Sequence, residues 1–103
     1  MGDPAVAASK DGVTVKQPVL KDTGDAFWVA VEVTNTKAKP ADVWAVIRLT
    51  GPLGYQVLMD VRADGLAPGA THDGVYTAQD RTEGAVVPKH LTAVIVNVTR
   101  APT

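Results

Sequence analysis

The chain has 103 residues and a net charge of -1 with its signs interspersed, the size of one domain that buries roughly two thirds of its unfolded surface. It holds no cysteine, which excludes thiolate nucleophiles, cysteine-based zinc sites and disulfide staples. The mixed, near-neutral charge leaves no electrostatic footprint for nucleic acid or anionic lipid, and no apolar run reaches the length of a membrane span.

The first residues, Met1 to Asp11, are small and carry a proline with no hydrophobic period. They are expected to be a flexible tether or an expression-vector start joined to a trimmed segment, with the folded domain over 12–101. They also lack the basic, apolar, small-residue order of a secretion signal. Gly12 to Leu20 alternates Val13 and Val15 with Thr14 and Lys16 and then meets Pro18, which reads as an edge strand. Lys21 to Asp25 is a turn of Asp and Gly. Its two carboxylates fall short of the six or more oxygens calcium takes, so turn chemistry is the reading.

The stretch from Phe27 to Tyr55 is the most informative. Phe27, Val29, Val31 and Val33 share one side of a strand, with Trp28, Ala30, Glu32 and Thr34 on the other. A loop over Asn35 to Asp42 follows, marked by Pro40. A second strand sets Val43, Ala45, Ile47 and Leu49 against Trp44, Val46, Arg48 and Thr50. Each strand is apolar on both sides and carries one tryptophan on its second side. Either one strand is inverted and its tryptophan is core, or Trp28, Trp44 and Val46, with Tyr55 nearby, form an exposed patch that another protein covers. Gly51-Pro52-Leu53-Gly54 turns the chain into a third strand.

Further on, Leu66 is expected to plug the end of the core, and Pro68-Gly69 shapes a type II turn. Thr71 to Ala78 reads as a strand weakened at Gly74, and Gln79 to Lys89 as a polar connection. His90 to Arg100 closes the fold, with Thr92, Val94, Val96 and Val98 facing one way and Leu91, Ala93, Ile95 and Asn97 the other. Short strands between regular turn signals, and no helical period, predict an all-β, immunoglobulin-like antiparallel β-sandwich of about seven strands. A small barrel is the alternative.

Val31-Glu32-Val33-Thr34-Asn35, the Lys/Pro loop, Ile47-Arg48-Leu49-Thr50-Gly51-Pro52-Leu53-Gly54 and the Leu66-Ala67-Pro68-Gly69 turn together resemble the FxLYD domains, immunoglobulin-like modules of bacterial secreted proteins and lipoproteins. Ile47, Thr50 and Gly51 stand where that signature has Phe, Tyr and Asp. CARDB-type adhesion modules share the Asn loop and the Pro-Gly turn. The resemblance spans Val13 to Arg100 and implies a non-catalytic binding or spacer domain in an extracytoplasmic or cell-surface setting. It transfers no active-site residue. An excess of Ala and Val over Ile, Phe and Asn fits a GC-rich bacterial genome.

Chemistry is scarce in the rest of the chain. Ser9, the only serine, lies in the tether, away from any fixed base, so a serine hydrolase is not expected. His72 and His90 sit at strand starts. With Asp73 they form a metal or general-base site only if those starts are neighbours, and solvated strand-end histidines are the plainer reading. The carboxylates Asp60, Asp64, Asp73, Asp80 and Glu83 have no predicted cleft for glycoside hydrolysis. Trp28, Trp44, Tyr55 and Tyr76 suit a sugar platform only if they line one face.

The expectation is therefore a non-enzyme with no cofactor, metal or catalytic residue. It binds a protein partner or forms a homodimer through Trp28, Trp44, Val46 and Tyr55 or through an edge strand, with no nucleic-acid partner and no membrane insertion of the domain. A passive spacer and a weak carbohydrate- or metal-binding module are the alternatives.

Overall fold

A computed structural model describes residues 5–102. Among them, β1 (Val6–Lys10), β2 (Val13–Lys16), β3 (Val19–Leu20), β4 (Phe27–Thr34) and β7 (Thr71–Ala78) form one antiparallel sheet. Strands β5 (Ala41–Thr50), β6 (Gln56–Leu66) and β8 (Thr92–Pro102) form a second. β7 takes one edge of β4 along its whole length, while β2 and β3 share the other. Those two are one strand broken at Gln17-Pro18, where proline cannot donate to the ladder. The eight segments thus amount to seven strands, an all-β sandwich.

The period-2 pattern decides which sides meet. Phe27, Val29, Val31 and Val33 of β4 face Val43, Ala45, Ile47 and Leu49 of β5, and all eight are buried. Val13 and Val15 of β2, Val61 and Ala63 of β6, and Ala93 and Ile95 of β8 complete the core. Full burial of a valine or leucine side chain is worth about 1.5–3 kcal/mol, so this shared layer holds the sheets together. Leu66 packs against it partly buried. Ala70 N–H meets the Ala67 carbonyl at 3.0 Å with Gly69 at φ 76°, the type II arrangement expected of Pro68-Gly69.

The two motifs that carry the family resemblance meet at one end of the sandwich. Asn35 is fully buried. Its Nδ2 donates to the carbonyls of Lys39 and Leu66, each at 2.8 Å, and its Oδ1 accepts from Lys37 N–H at 2.9 Å. Its backbone pairs with the Pro-Gly turn: Asn35 N–H to the Ala70 carbonyl at 3.0 Å, and Gly69 N–H to the Asn35 carbonyl at 2.8 Å. One asparagine ties the β4–β5 loop to the β6–β7 turn.

Two expectations are corrected. The chain from Ala5 to Asp11 is not a free tether: β1 pairs with β2, and Ala7 and Ala8 pack against the core. Asp11 and Gly12 both have positive φ, 50° and 85°, as a tight two-residue hairpin turn of Asp-Gly requires. A Cβ on Gly12 would lie 2.5 Å from the Thr34 carbonyl. The part of the tether expectation that falls on residues 1–4 lies outside the described residues.

The second correction concerns β8. Val46 pairs with Asn97 but Ile47 with Ile95, so Val96 is an extra residue, a β-bulge. Beyond it the alternation changes phase. Val98 turns inward with Ala93 and Ile95 and is partly buried against the core, whereas Asn97 lies exposed opposite the outward Val46.

Candidate interaction surface

Trp28 and Trp44 are both exposed, at 47% and 46%, so neither strand is inverted and neither ring is core. They do not share a surface. Trp28 stands on the outer side of β4 in one sheet, and Trp44 and Val46 on the outer side of β5 in the other, with the core between them. Strands consecutive in sequence cross from sheet to sheet here, so equivalent sides of β4 and β5 point in opposite directions. Tyr55 belongs to neither surface. It is 2% exposed, its ring meets Phe27 edge to face at 6.1 Å, and its hydroxyl accepts from Asp80 N–H at 3.1 Å. Tyr76 is on the inner side of β7, opposite Val29, and partly buried against the core. The four aromatics do not form a sugar platform.

The histidines do not meet either. His72 lies opposite Val33 at the Asn35 end of the sandwich, while His90 precedes Leu91, beside the Thr50–Thr92 pair at the other end. The ten residues of β5 between those ends span about 30 Å. Among the described residues, no three His, Asp or Glu side chains gather as a metal site. Asp22 and Asp25 flank a turn closed by Gly24 N–H to the Lys21 carbonyl at 2.8 Å and by Thr23 Oγ1 to Asp25 Oδ1 at 2.5 Å.

The outer face around Trp28 is already engaged. Lys21 Nζ sits 4.0 Å from the ring centroid and 3.0 Å from Thr77 Oγ1, a cation–π contact worth about 0.5–1 kcal/mol at such a site. Beside it, a shallow groove of about 370 Å³ runs over Ala30 and Gly74 between Lys16, Glu32, Asp73 and Val75. Glu32 and Asp73 are direct cross-strand partners, and like charges so placed are destabilising. This face mixes charge with apolar groups: Val19, 47% exposed, pairs with Trp28, and Val75, 64% exposed, pairs with Ala30.

The outer face of the β5 sheet differs. Down β5 run Trp44, Val46 and Arg48. Leu58, 59% exposed, pairs with Arg48 from β6, and Val94, 47% exposed, pairs with it from β8. Val96, 40% exposed, sits at the bulge beside Val46. Trp44, Val46, Leu58, Val94 and Val96 thus occupy one sheet face together with Arg48, and Asp60 and Arg62 supply charge on its β6 side. Leu58, Val94 and Val96 were not singled out in the sequence. Their signal was their place on outward positions of strands flanking β5, which needs the pairing to be read.

Asp80 anchors the far loop. Its Oδ2 accepts from Gln56 N–H and its Oδ1 from Thr82 N–H, each at 2.9 Å. The Thr82 hydroxyl, then the Gln56 and Thr82 amides, hold its carboxyl below the usual carboxylate range. The role is structural.

Among the described residues no helix is long and apolar enough to cross a membrane. Searches found no matching family model, no matching curated protein and no matching solved structure.

Proposed function

We propose that this chain is a non-catalytic, immunoglobulin-like interaction module of a bacterial extracytoplasmic or cell-surface protein, and that it binds protein through the outer face of its three-stranded sheet. One observation carries the reading: five apolar side chains, Trp44, Val46, Leu58, Val94 and Val96, stand outward on one sheet, with four of them 40–59% exposed. Trp44 with Val46 next along β5 and Arg62 and Thr99 across from it, and Arg48 between Leu58 and Val94, join tryptophan, aliphatics and arginine on one face, the residue types enriched in protein-binding patches. The resemblance to FxLYD modules supports the extracytoplasmic setting and the lack of catalysis. The Lys21 contact and the Glu32–Asp73 pair make the opposite face the poorer candidate.

The test compares two variants that leave the core alone, Trp44→Asp and Trp28→Asp. Both should fold with the wild-type β signature in circular dichroism. Binding to a protein partner captured by the wild-type chain, or to the chain itself, should fall at least about a hundredfold for Trp44→Asp, the size of a tryptophan anchor, and stay near wild type for Trp28→Asp. The reverse pattern would sink the assignment.

A further inference from the structure

The outer face of the β5 sheet is laid out in cross-strand rows. Arg62, Trp44 and Thr99 make one, Asp60, Val46 and Asn97 the next, and Leu58, Arg48 and Val94 the third. At the first row a cleft of about 90 Å³ opens against Trp44, with Asp42, Val43, Arg62, Thr99 and Ala101 around it. Sites for small-molecule ligands run to about 300–1,000 Å³, whereas one water takes about 30 Å³. This cleft has the size of a single aliphatic side chain.

The charges of this face differ in what already holds them. Arg62 Nε pairs with Asp64 Oδ1 at 2.8 Å, and Asp42 Oδ1 accepts from Gly65 N–H at 2.7 Å, so both charged walls of the cleft are fixed by contacts within the chain. Arg48 is exposed, and among the described residues no carboxylate lies within ion-pair distance of it. Asp60 stands one row away, on the diagonal, and does not pair with it. In the free chain water solvates the Arg48 guanidinium. A protein that covers Val46, Leu58 and Val94 takes that water away, and a guanidinium buried without a counter-charge is strongly destabilising. The occupant of this face must therefore bring an acceptor to Arg48, and a carboxylate matches the planar guanidinium with two parallel hydrogen bonds.

We propose that the partner of this face is a protein segment that joins an aliphatic side chain to an acidic one: the first seats in the cleft at Trp44, and the second sets its carboxylate on Arg48, about 13 Å further along β5. This rests on the reading of the face as a protein-binding surface and names the chemistry of its partner. An extended segment lying along β5 reaches both points with residues four apart, because alternate side chains share one side of a strand. Trp44 is then the anchor, and Arg48 the residue that sets specificity.

The test uses the full chain with Trp28→Phe, which leaves Trp44 as the one indole, and follows the Trp44 indole N–H by NMR. The probes are blocked, threonine-based peptides with a leucine and, four residues on, a glutamate, a glutamine or a lysine. The glutamate peptide should shift the signal saturably and bind about tenfold tighter than the glutamine one, with the lysine peptide weaker still and the differences shrinking as salt is added. Arg48→Gln should erase the preference and Arg48→Glu should reverse it in favour of lysine, both with unchanged circular dichroism. Three peptides that bind wild type alike, an order that survives Arg48→Glu, or no shift at millimolar peptide overturns the proposal. Charge-blind binding that Trp44→Asp abolishes removes the acidic partner and leaves the patch standing. A glutamate preference that Trp44→Asp leaves untouched supports the role of Arg48 and removes Trp44 as the anchor.

Discussion

Asn35 shows why a sequence motif can mark architecture and carry no chemistry. It is the one buried polar residue among those described, and its amide is matched on both sides, two carbonyls at Nδ2 and one N–H at Oδ1. Replacing it with alanine strands the Lys37 amide and the Leu66 and Lys39 carbonyls, and an unsatisfied buried group costs about 1–3 kcal/mol. Asn35→Ala is therefore expected to lower unfolding stability by about 3 kcal/mol in urea titrations, and a change within a few tenths would show that the network is dispensable. Asp80 gives a pH dependence of known sign. Its folded carboxyl is held below the ordinary range, first by the Thr82 hydroxyl and then by the Gln56 and Thr82 amides. The stabilisation is thus fully present above the unfolded value of about 3.9 and is lost as pH falls from there through the folded value. The stability gap between wild type and Asp80→Asn should be constant near neutrality and close in that acid window; a gap that widened with acid would reverse the sign.

At the level of the element, the hairpin β1–β2 makes the clearest demand. If Val6–Lys10 were a tether, deleting residues 1–10 would leave stability untouched. With β1 hydrogen-bonded to β2 and Ala7 and Ala8 against the core, the truncated chain should lose on the order of 2 kcal/mol and expose the β2 edge, a loss readable as a lower urea midpoint. The β8 bulge gives a second expectation. Deleting Val96 removes the extra residue while leaving Ile95 and Val98 inward and Asn97 outward, so the shortened chain should fold. Urea titration of the shortened chain checks this, and a chain that no longer folds would show that the bulge is required to keep β8 in register with β5. The sides of β4 and β5 were legible in the sequence because eight successive inward positions are apolar and the intervening ones include Glu32, Arg48 and two threonines. The bulge was not, because Val94, Ile95, Val96 and Val98 satisfy either phase. β1 was hidden by its small residues, although Asp11-Gly12 carried the hairpin signal. The candidate surface failed in part for another reason: strand periodicity assigns a side to each residue but does not say which sheet the strand enters, and β4 and β5 enter different ones.

Across the whole molecule, the sandwich is pinned separately at its two ends. At one, Asn35 joins the β4–β5 loop to the β6–β7 turn. At the other, Tyr55 packs on Phe27 and accepts from Asp80 N–H, while Gln17 reaches across to the Leu91 carbonyl at 2.9 Å. Between the ends lies one apolar layer fed by strands of both sheets, so both clamps act on the same cooperative unit. That arrangement makes a quantitative demand. Tyr55→Phe keeps the ring and loses the hydroxyl, costing about 1 kcal/mol, and Asn35→Ala costs about 3 kcal/mol. Sites that share no partner and lie more than 7–10 Å apart add to within about 0.5 kcal/mol, and these two stand at opposite ends of strands spanning about 30 Å. The double variant should therefore lose the sum of the two single costs in a single two-state transition. A coupling above about 1 kcal/mol would mean that strain travels along the sheets from one clamp to the other. A biphasic transition would mean that the two ends unfold independently and that the shared core does not make the sandwich one unit.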